Sequence, residues 1–575
     1  MDTNTSRTRF ALASLMGAML LSQACDRPKE NLPNGSSGDI LIDQIGYEPG
    51  TEKLALLTTD SERFVVTTLE GDVVFEGETS GPQYWDLSGD TVRIADFSAL
   101  VTPGTYRISV PGKALSAPFE IGNHLYRNLA DAALKSYYYA RCGTDIPETY
   151  GGKWHWKGGH PDTLVLVHAS AADQHRPEGT SISSPGGWYD AGDYGKYIVN
   201  SSITTWTLLM SAALNREYHQ QQNLNIPESE DEVPDILNEA LVNLNWMMTM
   251  QDSNDGGLYH KLTTKAFDGF IMPDATTAQR YVVQKSTPAS LDFAATLARA
   301  SRLLEQNGMT DLAGQMQARA QNAWSWAEEH PEKYYRQPED FSTGAYADTS
   351  LVDEWFWAAS ELYLSTGDEK YKEKLMGLYT PPVTPKWDVV NALGVISLLT
   401  SDRRGEFREY ERDFLAYVDG MLRKERSNPY RISTDSFAWG SNSDIANDGM
   451  LKLVAFFLTG DAAYAGSARN DLHYLLGRNA TGYCFVTGYG SKSPRHPHNR
   501  IMAADGVDEP IPGFLVGGPN TVVLTDCEPE NVVRSNFPAA SYTDTQCSYS
   551  TNETAINWNA PLVFLSSGLS RLQTH

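Results

Sequence analysis

Two carboxylates three residues apart, Asp190 and Asp193, stand in the glycine-rich stretch Gly186-Gly187-Trp188-Tyr189-Asp190-Ala191-Gly192-Asp193-Tyr194-Gly195-Lys196-Tyr197. Such glycines permit a tight backbone, so both acids can converge on one small volume, where one deprotonates a water and the other orients it. The same pair would also suit a helix N-cap and first-turn acids that favour the helix dipole. A second segment, Tyr542-Thr543-Asp544 followed by Tyr549 to Ala560, sets Glu553 among aromatic residues just ahead of an apolar C-terminal stretch. Partial burial against Tyr549 or Trp558 would raise its pKa, as a general acid needs. An ordinary glutamate in a first helical turn is the plainer alternative. A third segment runs Thr487-Gly488-Tyr489-Gly490, then Lys492 and Arg495-His496-Pro497-His498-Asn499-Arg500. Its donors suit sugar hydroxyls; a solvated basic loop, or metal binding by His496 and His498, would use the same residues.

These segments need a scaffold. From Asp39 to Asn123 short runs rich in β-branched residues recur, such as Arg63–Leu69 and Thr105–Val110, separated by turns such as Ser88-Gly89-Asp90. That spacing predicts a β-sandwich over residues 39–123. From residue 124 the period becomes helical: Leu125–Tyr139, Tyr194–Leu214, Pro234–Gln251, Ser286–Leu304, Thr310–Glu328 and Ser350–Thr366. Paired helices joined by long aromatic and glycine-rich loops over residues 124–575 predict an α/α barrel, and loops of that length are usually functional.

The chain has 575 residues and a net charge of -26, with 41% hydrophobic and 11% aromatic residues. This is a folded composition. The acidity disfavours nucleic acid, whose binding depends on lysine and arginine neutralising phosphates, and anionic membrane surfaces; a neutral polymer suffers no such penalty. Arg7 and Arg9 precede an apolar run, Phe10 to Leu21, too short to span a bilayer. Residues 1–24 read as an export signal, and Leu21-Ser22-Gln23-Ala24-Cys25 as a loose lipobox with Ser22 departing from the usual leucine. Cleavage would leave a lipidated Cys25 on a tether, residues 25–38, so that membrane contact comes only through the lipid. Of the remaining cysteines, Cys527 and Cys547 share one loop-rich stretch and are the candidate disulfide.

Taken together the segments resemble glycoside hydrolase family 9. One family signature fits Val486, Thr487, Gly490, Lys492, Pro497, His498 and Arg500, with Cys484 departing from it. The other fits Tyr542, Asp544, Tyr549, Glu553, Ala555, Asn559 and Ala560. Trp439-Gly440-Ser441-Asn442, Leu476-Gly477-Arg478-Asn479, Gly517-Gly518-Pro519-Asn520 and the opening Asp43-Gln44-Ile45-Gly46-Tyr47 also match. The resemblance implies a six-hairpin α/α barrel behind an immunoglobulin-like sandwich. It implies an inverting endo-acting hydrolase, cleaving β-1,4-glucosidic bonds of a plant-type β-glucan as a monomer. Asp193 would be the general base, Glu553 the general acid and Asp190 a holder of the water. Inversion leaves room for that water, roughly 6.5–9.5 Å between carboxyls. His498 and Arg500 would bind sugar, with platforms from Trp188, Trp355, Trp439, Tyr489 and Tyr549, each of which could equally be core.

No catalytic cofactor is implied. Asp353-Glu354 matches an acidic pair that holds calcium in relatives, and hard oxygen ligands suit that ion; an acidic helix start is the alternative. Relatives also hold a structural zinc. Cys142 and His160 match its ligands, but Gly159 and Tyr189 stand where cysteine and histidine are usual, so this site is expected to be lost. Two alternatives stay open: an exo-acting β-glucosidase or glucosaminidase of the same family, and a non-catalytic surface glycan-binding lipoprotein, whose catalytic carboxylates would be eroded. The expected location is the bacterial outer membrane or cell surface, otherwise the periplasm or medium.

Overall fold

The computed structural model describes residues 38–572 apart from 111 and 524. The expected signal at 1–24, the lipidation site Cys25 and nearly all of the tether lie outside the described residues.

The N-terminal sandwich is built from β1 (Ile40–Leu41), β2 (Gly46–Tyr47), β3 (Leu54–Leu57), β4 (Arg63–Thr68), β5 (Val73–Glu78), β6 (Gln83–Trp85), β7 (Asp90–Asp96), β8 (Gly104–Val110), β9 (Ala114–Leu115) and β10 (Phe119–Ile121). One sheet has the order β1-β3-β7-β6; the other runs β2-β10-β8-β4-β5, with β9 on β8. Side chains alternate across each strand, so Tyr106 and Ile108 of β8 are buried while Arg107 between them is not. Phe64, Val66, Phe97, Ile108 and Phe119 fill the space between the sheets.

Twelve helices of nine or more residues follow among the described residues. They are α1 (Arg127–Tyr139), α2 (Ile198–Leu214), α3 (Asp235–Thr249), α4 (Thr287–Gln306), α5 (Thr310–Glu329), α6 (Val352–Thr366), α7 (Glu369–Leu378), α8 (Asn391–Leu399), α9 (Arg408–Arg426), α10 (Ser441–Thr459), α11 (Ala462–Leu475) and α12 (Ile556–Arg571). The even-numbered helices form the inner ring of a six-hairpin barrel. α2 packs on α4, α4 on α6, α6 on α8, and α12 on both α10 and α2. Each outer helix backs an inner one, as α5 backs α4. Sequence explains the division. Inner helices such as α8, Asn-Ala-Leu-Gly-Val-Ile-Ser-Leu-Leu, are buried at every position. Outer α9 buries only one stripe, including Tyr410, Phe414, Val418 and Met421.

A small sheet that the sequence reading did not foresee lies in the loops at one end: β11 (Val165–Val167), β12 (Ser181–Ile182), β13 (Lys196–Tyr197), β14 (Lys261–Thr263) and β15 (Tyr281–Val282), in the order β12-β11-β15-β14-β13. Its strands are two or three residues long, too short for alternation to show. The sandwich docks through the Asp43-Gln44 segment. Asp43 Oδ2 lies 2.8 Å from His473 Nδ1 and accepts from the Tyr126 hydroxyl at 3.2 Å. The Gln44 side chain accepts from the backbone N–H groups of Ser491 and Lys492, both at 2.9 Å. Trp85 packs on Tyr430, ring centroids 4.8 Å apart.

Candidate active site

The glycine-rich stretch leads into α2 and lays Asp190 and Asp193 along one wall of a cleft of about 340 Å³. Glu553, from the segment before α12, lines the same cleft. Two backbone contacts join these segments: Ile556 N–H donates to the Asp190 carbonyl at 2.9 Å, and Arg500 N–H to that of Gly192 at 3.1 Å. Gly192 permits the second approach, because a Cβ there would sit 2.2 Å from the His498 carbonyl oxygen.

Asp190 is buried with both oxygens engaged. Asn200 of α2 donates to Oδ1 at 2.5 Å, and the Tyr346 hydroxyl to Oδ2 at 2.6 Å. Burial, and next the Asp193 charge, raise its pKa despite these donors. Asp193 accepts through Oδ2 from Gly195 N–H at 3.0 Å and the Tyr197 hydroxyl at 3.1 Å. β13 and β14 place Tyr197 directly opposite Lys261. The Lys261 ammonium donates to Gln337 Oε1 at 2.9 Å, Thr343 Oγ1 at 3.1 Å and the Gly344 carbonyl at 2.7 Å, all neutral acceptors. Burial pushes its pKa down to about 7, against the opposing pull of Asp193.

Glu553 is held differently. Its carbonyl accepts from Gly517 N–H at 2.9 Å, and His498 N–H donates to the preceding Asn552 carbonyl at 2.8 Å. Among the described residues no side chain donates to its carboxyl. Burial, then the charges of Asp193 and Asp190, push its pKa well above the carboxylate range. Cys527 and Cys547 are disulfide-bonded beside this segment. The adjacent Asp526 accepts from Ser550 N–H at 2.9 Å and pairs with Arg534. Asp544 is structural: its oxygens accept from the N–H groups of Arg495 and His496 at 2.8 and 2.9 Å.

The other expected residues divide. Trp439 and Tyr549 meet at 5.4 Å, and Trp439 lines the cleft. Trp188 and Trp355 are corrected to core. Trp188 is wholly buried against Tyr137, and Trp355 on inner helix α6 is buried against Trp324. Tyr489 is not among the cleft-lining residues; its hydroxyl donates to the Asn128 carbonyl at 2.6 Å. Arg500 is buried and acts as a fastener, donating to the carbonyls of Asp268 at 2.7 Å and Gly192 at 2.6 Å. His498 Nδ1 lies 2.7 Å from the Gln546 carbonyl oxygen, and the ring packs beside Phe270. The cleft walls also contain Phe267, Tyr346, Trp387 and Trp558. Tyr346 and Trp387 sit in loops with no motif spacing, so nothing in the sequence singled them out.

The zinc ligands do not fit that metal. His160 is tied at Nδ1 to the Tyr189 hydroxyl (2.9 Å) and at Nε2 to Thr276 Oγ1 (2.7 Å), and burial lowers its pKa to about 3. A Cβ at Gly159 would lie 1.9 Å from the Pro273 carbonyl oxygen, so a cysteine there would require the backbone to move. The expected calcium pair stands in an all-oxygen acidic group. Asp353 and Glu354 sit with Asp292 of α4 and Asp348 in one group of mutually repelling acids. Both oxygens of Asp292, and one each of Asp348 and Glu354, are buried without a hydrogen-bond partner among the described residues. Burial and like charge drive the Asp292 pKa up. An all-oxygen anionic donor set of this kind suits a hard divalent ion.

Two family models match the chain. "Glycosyl hydrolase family 9" covers residues 126–566, and "Cellulase N-terminal ig-like domain" covers 36–114. A xyloglucan-specific endo-β-1,4-glucanase of Bacteroides ovatus, BoGH9A, is 42% identical over 96% of this chain and 97% of its own length. Endoglucanase D of Acetivibrio thermocellus is 32% identical over 92% of this chain and 83% of its own. A solved Bacteroides ovatus structure of the same family superposes with a TM-score of 0.86 at 42% identity, covering 93% of this chain and 99% of that one.

Proposed function

The chain belongs to glycosyl hydrolase family 9, and from that membership we propose that it is an inverting endo-β-1,4-glucanase whose preferred substrate is xyloglucan. What supports the reading most is the sharing of one aromatic-lined cleft by a hydrogen-bonded aspartate pair and a glutamate with an elevated pKa. In this reading Asp193 takes a proton from a water, and Asp190, fixed by Asn200 and Tyr346, orients it. The water oxygen bonds to the anomeric carbon as the glycosidic bond breaks, and Glu553 gives its proton to the departing oxygen. Inversion follows because water arrives opposite the leaving group. The xyloglucan preference rests on the Bacteroides ovatus relative. NMR of early products from a β-linked substrate should show the α-anomer first; the β-anomer first would mean retention and overturn both roles. Viscosity falling faster than reducing ends appear would separate endo from exo action.

Asp292, Asp348, Asp353 and Glu354 would hold a structural calcium, and its charge would offset their repulsion. It takes no part in the reaction. The N-terminal features support export and a lipid anchor at Cys25, which would hold the enzyme at the cell surface. Metabolic labelling with palmitate, lost in Cys25→Ala, tests the anchor.

A further inference from the structure

A second cavity, of about 370 Å³, opens beside the cleft. The two share Lys386 and Asp444 in their linings, and these residues form an ion pair at 2.8 Å, a low ridge between the spaces. The size is at the lower end of the roughly 300–1,000 Å³ of small-molecule sites, which suits one or two sugar rings. Its lining mixes carbon surface from Ala416, Tyr417 and Met421 with hydroxyl and charged groups. Buried Asp448 accepts from Thr384 Oγ1 at 2.5 Å and from Ser433 Oγ at 2.6 Å. Lys424 and Asp435 pair at 2.6 Å on the exposed rim. A mixed lining of this kind suits a sugar ring, which presents hydroxyls at its edge and C–H groups on its face.

We propose that this cavity receives the α-linked branch sugar of a substituted β-1,4-glucan. The proposal rests on the reading above, that the cleft holds the glucan backbone. Successive glucose units of such a backbone are flipped, so alternate 6-hydroxyl groups point to opposite walls. A sugar carried on one of them must leave the cleft sideways, and across the Lys386–Asp444 ridge the protein offers a space with this mixed lining. No group in this cavity is needed for bond cleavage, so its occupant would govern selection rather than chemistry.

The test fills the cavity and reads a ratio. Gly420 lines it from α9, and a Cβ there would meet only Arg423 Nη2, at 3.7 Å. Helix interiors favour other residues over glycine, so Gly420→Phe should fold. Ser436→Trp fills the cavity from the facing loop. For each variant, kcat/KM is measured on a xyloglucan oligosaccharide and on the unbranched cello-oligosaccharide of equal backbone length. The branched-to-unbranched ratio should fall about tenfold or more, the scale of losing one sugar-sized contact, and Lys424→Ala should lower it less. If the wild type cleaves the unbranched substrate and both filled variants keep its ratio, the branch pocket is overturned while the glucanase reading stands. A wild type that cleaves neither substrate overturns both.

Discussion

The two walls of the cleft hold their carboxyl groups by opposite means. On the Asp190–Asp193 wall, donors arrive from several parts of the chain: Asn200 from α2, Tyr346 from a loop, Tyr197 from β13, and the Gly195 N–H. Donors of this kind favour a charged carboxylate, as a base requires, although at Asp190 burial and the Asp193 charge outweigh them and raise the pKa to about 8. On the Glu553 wall the segment is fixed locally, by backbone contacts, the Cys527–Cys547 disulfide and Asp526, while no side chain donates to the carboxyl among the described residues. Burial and negative neighbours then keep it protonated, as an acid requires. One wall holds its carboxyls with side-chain donors and the other leaves its carboxyl without them, and this difference divides the labour.

The sharpest way to break the comparison is to neutralise each wall in turn. Asp193→Asn and Glu553→Gln should each lower kcat by about 10²–10⁴-fold, the usual contribution of a positioned base or acid. They should part on an activated aryl glycoside. A good leaving group needs little protonation, so it should restore much of the rate of Glu553→Gln and none of that of Asp193→Asn. Equal rescue, or rescue of the aspartate variant, would reverse the assignment. Asp190→Asn should cost less, roughly 10–10²-fold, because it leaves the proton acceptor in place and disturbs only the held water. A loss as large as that of Asp193→Asn would make Asp190 the base.

Lys261 sharpens the same contrast in pH. It is a buried cation on neutral acceptors near Asp193, and its charge favours the ionised base. Lys261→Met removes a charge that is fully present only below about pH 7, so the variant's kcat/KM should fall relative to the wild type on the acidic limb and converge with it above that pH. The alkaline limb, which reports Glu553, should stay within a small fraction of a unit. An acidic limb that does not fall would show that Lys261 only packs against Tyr197.

The contrast also explains what could be read from sequence. The acid wall is contiguous, Tyr542 to Ala560, so its residue types and spacing were visible together, and Cys527 and Cys547 fell in one loop-rich stretch. The base wall showed only its core, Asp190 to Tyr197. Lys261 and Tyr346 reach it through strand pairing and loop packing that leave no local pattern, and the sheet of β11–β15 is made of strands too short to show a period. Trp188 and Trp355 were misplaced for a related reason. A tryptophan next to a catalytic motif, or on a helix buried along most of its length, looks alike whether it faces a sugar or the core. The six helices given bounds from the sequence, all before residue 367, were legible to within a few residues, as at Thr310–Glu329, because long periodic stretches average out local ambiguity.

The smallest expected effect on activity concerns the acids behind the base wall. Asp348 lies two residues beyond Tyr346, whose hydroxyl holds Asp190, and Asp353 accepts from Val390 N–H at 2.8 Å, three residues beyond Trp387 of the cleft. A second acidic group, Asp173, Asp252 and Asp255, provides the contrast. There the Lys285 ammonium sits among the three carboxylates at 2.9, 2.6 and 2.9 Å, and Arg176 pairs with Asp252 at 3.3 Å, so two cations offset most of the charge from within. Among the described residues no cation pairs with Asp292, so either a bound ion or protons must offset the repulsion there, and a calcium ion predicts the following. Binding to the folded state alone adds about 2.7 kcal/mol when the free ion is a hundredfold above its Kd. Chelation should therefore lower Tm by a few °C, while kcat at 25 °C falls by no more than about threefold. Asp292→Asn should show the sign change that identifies the cause. In chelator it removes repulsion and should raise Tm above that of the wild type; in excess calcium it removes a ligand and should leave Tm below. Variants of Lys285 should show no such reversal. A wild-type Tm indifferent to calcium, with Asp292→Asn shifted in the same direction in both buffers, would mean that protons rather than an ion offset the repulsion, as the elevated pKa values of Asp292 and Glu354 allow.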